Sequence, residues 1–175
     1  MNLRPENLVA GTSVHNPDPF PSPPIRLRRT TKDDLATLYE MQLDPESNAM
    51  AVTNPRSAEA FATHWDKVLQ DSSTMPMVIL SSEQIVGLVS SFYAEQRNSI
   101  GYWIHRDFWG RGIASQALRL LLQEVTVRPL YAQAATSNKA SLRVLQKCGF
   151  QIDAVRLEPA CDRYPECEVA HLVLV

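Results

Sequence analysis

The sequence predicts a single-domain α/β (α+β) protein that is built on a mixed β-sheet flanked by helices. Its 175 residues, 45% of them hydrophobic, suit one domain with a core of its own. Segments with apolar residues at every second position are interspersed with segments of helical period. Their order is strand, two helices, hairpin, strand, helix, strand, helix and final strands, without an internal repeat, which favours a mixed sheet over a sandwich or a bundle.

The first 24 residues differ from the rest of the chain because they contain half of the 12 prolines. The stretch HNPDPFPSPP has no apolar periodicity, and proline removes backbone donors and favours extended chain. We therefore expect an N-terminal arm over residues 1–24 and a folded domain over residues 25–175.

The domain begins with a strand and a helix. Apolar and basic residues alternate over 25–28, which predicts a half-buried strand. Thr31 and Asp34 have the spacing of a capping box before a helical stripe over 35–43. The segment 44–57 is interpreted as an irregular loop.

A second helix and three strands follow. Ser57 is placed to cap a helix with Phe61 and Trp65 on one face. The runs MVIL and IVGLVSSF flank SSEQ, which predicts a hairpin with a four-residue loop at 81–84. SIGYWI, residues 99–104, is the third strand of this group.

The second half alternates between helices and strands. A broad apolar face predicts a helix that begins near Ile113 or Ala114, and PLYAQAA predicts the next strand. SNKASLRVLQKCG predicts a helix that ends at Gly149, and two strands, FQIDAVRL and CEVAHLVLV, close the chain.

Composition excludes several classes of protein. A net charge of -2 without a Lys/Arg block argues against a nucleic-acid partner. No apolar run approaches the roughly 18 residues of a membrane span, and the N-terminus lacks the apolar centre of a signal peptide. Three cysteines in a chain of this size indicate reduced thiols, so we expect a cytoplasmic protein without a membrane partner.

The stretch FWGRGIASQALRLLL carries the main functional signal. Its two glycines lie between a predicted strand and a predicted helix, where free backbone N–H groups bind anions. A nucleotide P-loop is excluded because G-x-x-x-x-G-K-[ST] is absent, and the dinucleotide fingerprint lacks its third glycine. Spacing alone leaves two interpretations, a phosphate-binding loop and a plain turn.

Two segments, IGYWIHRDFWGRGIASQAL and SNKASLRVLQKCGF, resemble the GNAT acetyltransferase superfamily, and most closely its branch of ribosomal-protein N-terminal acetyltransferases. The resemblance implies the GNAT fold, a mostly antiparallel sheet with splayed central strands. It also implies that a backbone loop binds the pyrophosphate of acetyl-CoA. Here that loop comprises Trp109, Gly110, Arg111, Gly112, Ile113, Ala114 and Ser115, with Trp109 in place of the usual Gln or Arg.

The resemblance assigns the remaining site residues. The splayed strand, with Trp103, Ile104 and His105, holds the pantetheine arm and the thioester. Asn138 contacts the cofactor arm, and Ser141 protonates the departing thiolate, so both are candidate catalytic residues. An alternative for Asn138 is a purely structural role, because Ser137 and Asn138 are also good N-cap residues.

The general base and the acceptor-recognition residues are less defined. A protonated amine must lose its proton before it attacks, yet a water relay would also serve. His64 and Asp66 also fit the polar face of an amphipathic helix. Candidate bases are Glu40, Asp44, Glu46, His64, Asp66 and Glu95. Candidate acceptor-recognition residues in the loop before the last strand are Asp162, Arg163, Tyr164 and Glu166.

The sequence therefore predicts an N-acetyltransferase that uses acetyl-CoA and a primary amine, as a monomer or a homodimer. Cys161, Cys167 and His171 lack the close spacing of a zinc site, so no metal is expected. Two alternatives are a non-catalytic acyl-CoA-binding module and an enzyme of the same fold with another acyl-CoA donor or a small-molecule amine.

Overall fold

The computed structural model describes residues 24–175, so the predicted arm lies outside the described residues apart from Pro24. The strands in this part of the chain are β1 (Ile25–Arg29), β2 (Met75–Ser81), β3 (Gln84–Ala94), β4 (Arg97–Ile104), β5 (Leu130–Ala135), β6 (Gln151–Glu158) and β7 (Cys167–Leu174). The α-helices are α1 (Leu35–Gln42), α2 (Pro45–Ala51), α3 (Ala58–Gln70), α4 (Ile113–Glu124) and α5 (Lys139–Lys147).

The strands form one sheet in the order β1-β2-β3-β4-β5-β7-β6. All neighbouring strands are antiparallel except β4 and β5, which are parallel. This confirms the predicted mixed, mostly antiparallel sheet. The pairing of β4 with β5 is limited to Ser99 and Tyr131, so the two strands are unpaired beyond that point, towards Ile104. The sheet is therefore splayed at its centre.

Helices cover both faces of the sheet because successive side chains of a strand point to opposite faces. On one face, Ile79 packs in a cluster with Leu118 and Leu121 of α4. On the other, Val78 packs with Phe61 and other residues of α1 and α3. The open centre of the sheet thus lies between two packed layers.

The segment 44–57 is irregular only in its second half, and the prediction of a loop over its first half is wrong. Residues Pro45–Ala51 form α2, whose N-cap, Asp44, accepts a hydrogen bond from the Ser47 backbone N–H at 3.0 Å. Proline at the first helical position lacks only an N–H that the helix would leave unpaired. The Asp-Pro signal was present in the sequence, but the helix is too short for an apolar period to emerge.

The β2–β3 hairpin also differs from prediction, because its turn has two residues and not four. Ser82 and Glu83 form the turn with φ values of 47° and 66°. Two consecutive positive φ values are typical of a type I′ turn, whose twist matches that of the flanking strands. The β-strands therefore extend into the predicted loop from both sides.

Three predicted helix signals are confirmed. Thr31 and Asp34 form the capping box, although its first turn is a 3-10 turn that precedes α1. The Ser57 side chain accepts a hydrogen bond from the Ala60 N–H at 3.2 Å at the start of α3. Gly149 follows α5 with a φ of 94°.

Gly87 of β3 allows β4 to approach closely at its Trp103–Ile104 end. A Cβ at Gly87 would lie 2.6 Å from the Trp103 carbonyl oxygen, which belongs to the backbone and cannot rotate away. We expect Gly87→Ala to displace the end of β4 and lower the free energy of unfolding by about 1–3 kcal/mol. Chemical denaturation measures this effect.

Gly101→Ala is the matched control, because its Cβ would meet only a Phe92 ring carbon at 3.5 Å. Equal losses of unfolding free energy in both variants would contradict the steric explanation.

Among residues 24–175, none of the helices has both the length and the apolar character that crossing a bilayer requires.

Candidate active site

A cavity of about 650 Å³ opens where β4 and β5 separate. Its walls come from the end of β4, the loop before α4, the start of α5, α2 and the β6–β7 loop. Of the twelve predicted site residues, ten border this cavity: Trp103, Ile104, Trp109, Gly110, Gly112, Ile113, Ala114, Ser115, Asn138 and Ser141. The two segments that carried the resemblance therefore meet at one place.

The glycine loop presents the N-terminus of α4 to this cavity. Gly110 and Gly112 have φ values of 73° and 71°, a conformation that glycine adopts without strain. Gly112 is the N-cap, so no side chain caps the helix, and its first turn has no acidic residue. The first N–H groups of α4, which include those of Ile113 and Ala114, therefore remain available to an anion.

Trp109 has a structural role in this loop. Its Nε1–H donates to the Ile104 carbonyl oxygen at 2.9 Å, which ties the loop to the end of β4. The tryptophan thus fixes the loop beside the open strand edge.

Two of the predicted residues, His105 and Arg111, do not border the cavity. The His105 backbone N–H donates to the Val86 carbonyl at 2.9 Å. His105 instead borders a separate cavity of about 340 Å³, together with Glu40. The Arg111 guanidinium lies over the Phe108 ring, 5.1 Å from its centroid.

Asn138 and Ser141 lie side by side at the start of α5. Asn138 is the N-cap, and its Oδ1 accepts the Ser141 backbone N–H at 3.0 Å. Asn138 therefore caps α5, as the alternative structural role predicted, and it also borders the cavity. The Ser141 hydroxyl lies 2.7 Å from the Tyr102 hydroxyl, and either group can donate.

The hydrogen bond between the Tyr102 and Ser141 hydroxyls is a site feature that the sequence did not predict. Burial raises the pKa of Tyr102 to about 12, although its hydrogen bond with Ser141 opposes that shift. The phenol therefore stays protonated at neutral pH and can act as a donor. Its partner is 39 residues away in the chain, so no local pattern could have indicated the pair.

None of the six candidate bases borders the cavity. Asp44 caps α2, and Glu46 forms an ion pair with Arg106 at 3.0 Å. Asp66 and Glu95 are exposed, the latter in the β3–β4 turn. The cavity walls within residues 24–175 thus contain no carboxylate and no histidine.

His64 is the remaining candidate, and its surroundings make it a weak base. Burial, followed by the charges of Arg56, Arg163 and Lys67, lowers the pKa of His64 to about 4. The imidazole is therefore neutral at pH 7. The six candidates therefore provide no general base at the cavity walls.

Positive charge borders the cavity at two places. Arg143 and Lys147 line it from α5. Of the predicted acceptor loop, Arg163 and Tyr164 border the cavity, whereas Asp162 and Glu166 do not.

Cys148 and His171 have structural surroundings. Cys148 contacts the Ser115 carbonyl at 3.7 Å, and burial raises the pKa of its thiol. The His171 Nε2 lies 2.9 Å from a Glu158 carboxylate oxygen. In the described part of the chain, no group of three or more His, Cys, Asp or Glu residues is arranged to hold a metal ion.

Comparisons with known proteins agree with this geometry. The "Putative ribosomal N-acetyltransferase YdaF" of Bacillus subtilis (strain 168) is 29% identical over 108 residues, 55% of this chain and 59% of that protein. The chain thus matches somewhat less than two thirds of that relative's length. "Uncharacterized N-acetyltransferase p20" of Bacillus licheniformis is 22% identical over 140 residues, 73% of this chain and 79% of that protein.

Among solved structures, the spermidine N-acetyltransferase of Vibrio cholerae, in complex with CoA and spermine, superimposes with a TM-score of 0.74. It is 16% identical and covers 86% of this chain and 94% of its own. At such identity the superposition shows the shared fold. The acetyltransferase (GNAT) domain family matches residues 25–151, which include the glycine loop, Asn138 and Ser141. This chain is therefore a member of the GNAT acetyltransferase domain family.

Proposed function

We propose that this protein transfers an acetyl group from acetyl-CoA directly to a primary amine. The observation that carries the proposal is the uncapped N-terminus of α4, which opens into the cavity at the point where β4 and β5 separate. A diphosphate and a long, flexible thioester arm need this combination of an anion-binding loop and an open strand edge.

The residues present fit acetyl-CoA. The backbone N–H groups from Gly110 to Ser115 would hold its pyrophosphate, and a Cβ at Gly110 would have nothing within 4 Å, so the approach is open. Arg143 and Lys147 would add charge for the phosphates. The end of β4 at Trp103 and Ile104, which β5 leaves uncovered, would hold the arm, with Asn138 beside it.

Acetyl-CoA supplies an activated acyl group as a thioester, and this chain supplies orientation and proton transfer. The amine nitrogen would bond to the acetyl carbon as the C–S bond breaks, and the Ser141 hydroxyl would donate a proton to the departing sulfur and regain one from water. Tyr102, hydrogen-bonded at 2.7 Å, would support that hydroxyl. The proton of the amine leaves through water, because no carboxylate or histidine of the described residues borders the cavity.

Ligand-dependent stability tests the donor. We expect acetyl-CoA and CoA, but not ATP, to stabilise the protein, by about 2.7 kcal/mol at a hundredfold excess over Kd. In Gly110→Ala, the strained φ should distort the loop and weaken acetyl-CoA binding about tenfold. Differential scanning fluorimetry with a ligand titration measures both effects.

Gly149→Ala is the matched control, because Gly149 also has a positive φ but follows α5 and does not border the cavity. Both variants should lose apo stability, whereas only Gly110→Ala should lose affinity. An unchanged melting temperature of the wild type at millimolar acetyl-CoA would overturn the proposal.

A non-catalytic acyl-CoA-binding module is a second candidate, favoured by the lack of a base at the cavity walls. Thiol release with a panel of peptides, amino acids, polyamines and aminoglycosides separates the two functions. Stabilisation by acetyl-CoA without thiol release for any amine would favour the module.

We also propose a cytoplasmic location. Cys148, Cys161 and Cys167 are all unpaired, which fits a reducing compartment.

A further inference from the structure

We propose that the acceptor is a primary amine that also carries a carboxylate, and that Arg163 binds this carboxylate. The inference rests on the proposed acetyl transfer and concerns the acceptor end of the same cavity.

Hydrogen-bond donors without partners define that end. The Nε and Nη1 of Arg163 are buried and have no hydrogen-bond partner within residues 24–175. The indole Nε1 of Trp103 is likewise buried without a partner in that range. Both residues border the cavity, and neither side chain can accept a hydrogen bond. A ligand bound against these side chains must therefore bring acceptor atoms, and a carboxylate supplies two acceptor oxygens together with the negative charge that strengthens a hydrogen bond from a guanidinium.

The charges around Arg163 point the same way. Burial and the charge of Arg163 lower the pKa of Arg56, and the charges of both arginines contribute to the low pKa of His64. No carboxylate of the described residues borders the cavity to balance them. A polycationic amine would meet uncompensated positive charge here, whereas an anionic group would be attracted.

The backbone of Arg163 is held in place by the protein itself. The Asn54 backbone N–H donates to the Arg163 carbonyl at 2.8 Å, and its side chain donates to the Asp162 carbonyl at 3.1 Å. Arg56, in the same loop as Asn54, exchanges two hydrogen bonds with the buried Gln42 side chain at 2.9 and 3.0 Å. The two loops are therefore fixed to each other before any ligand binds, which lowers the entropic cost of recognition.

Arg163 lies near α3, whereas the proposed phosphate-binding residues belong to the α4 and α5 side of the cavity. Arg163 therefore belongs to a different wall of the cavity from Arg143 and Lys147.

Paired acceptors test the inference by thiol release. One pair is serine against serine amide, which isolates an α-carboxylate. The other is Ser-Asp-Ala-amide against Ser-Asn-Ala-amide, which isolates an acidic side chain of a peptide. We expect the acidic member of one pair to have a kcat/KM about 10- to 100-fold higher than its neutral partner, the range of a charge-assisted hydrogen bond. Spermidine should be a poor acceptor.

Arg163→Gln should abolish that preference while the affinity for acetyl-CoA stays unchanged. Arg156→Gln, at an exposed position of β6, is the matched control and should keep the preference. Equal rates within both pairs, preference for spermidine, or an Arg163→Gln defect confined to acetyl-CoA binding would each overturn the inference.

If no acceptor is acetylated, both pairs are titrated by calorimetry into the protein–CoA complex. The acidic member of one pair should then have a Kd about 10- to 100-fold lower than its neutral partner, and equal Kd values within both pairs would overturn the inference. Failure of the proposed function is recognised separately, by the absence of stabilisation with acetyl-CoA. The two failures are therefore distinguishable.

Discussion

Ser141→Ala is expected to lower kcat about 100-fold and to leave the dissociation constant of acetyl-CoA nearly unchanged. General acid catalysis contributes about 10²- to 10⁴-fold to a rate, and its loss affects the transition state more than the ground state. Single-turnover kinetics measure the acyl-transfer step, and calorimetry measures acetyl-CoA binding. A parallel loss of rate and affinity would show that Ser141 serves in binding and not in proton transfer.

The fold should tolerate this change. In Ser141→Ala the Tyr102 hydroxyl keeps a second acceptor, the Ser141 carbonyl at 3.2 Å, so no buried donor is left without a partner. The cap of α5 also persists, because Asn138 binds the backbone N–H of residue 141. Ser137→Ala is the matched control, since Ser137 is exposed and does not border the cavity.

Tyr102→Phe separates the two hydroxyls. It removes the hydrogen bond to Ser141 and keeps the buried ring, so the rate should fall less than in Ser141→Ala. If Tyr102→Phe proved the more damaging variant, the phenol itself would be the proton donor.

The fold was predictable where each local pattern and its tertiary surroundings agree. The alternation in β1 and the broad apolar face of α4 are local signals of which face is buried, and the structure buries those faces. The errors lie where the signal is short. α2 has seven residues, and the turn at Ser82 and Glu83 has positive φ values in residues that are not glycine.

The site was predictable in part for the same reason. The glycine loop and the start of α5 are continuous segments, so a resemblance could identify them. Arg163 was named among the candidates in the loop before β7, but its particular place was not predictable, because the Asn54–Asp162 contact that fixes this loop joins residues 108 positions apart and the unpartnered guanidinium is a property of packing. No period or spacing in the sequence encodes such a contact.

Asp34→Asn is expected to lower the free energy of unfolding by about 2 kcal/mol, because it removes the charge from an ion pair whose carboxylate is buried and whose guanidinium is partly exposed to solvent. The Asp34 side chain is only 5% exposed, and its two carboxylate oxygens each accept from an Arg28 guanidinium nitrogen at 2.7 Å. One of them also accepts the Thr31 backbone N–H at 2.8 Å. Asparagine fits the same space but carries no charge, so urea denaturation of the variant at pH 7 measures the loss.

The pH dependence distinguishes this ion pair from mere packing. The hydrogen bonds from Arg28, and then those from Thr31, hold the pKa of Asp34 below its ordinary value of 3.8. Its stabilisation is therefore complete above pH 3.8 and is lost as the pH falls through the lower, folded-state pKa. The difference in unfolding free energy between wild type and Asp34→Asn should shrink in that window, since protonated aspartate resembles asparagine.

Glu83→Gln is the matched control. Its partner, Arg26, also lies on β1, but both side chains are more than half exposed, so the substitution should lower the free energy of unfolding by less than about 1 kcal/mol. A difference between wild type and Asp34→Asn that stayed constant down to pH 2 would mean that the shape of the carboxylate, and not its charge, stabilises the start of α1.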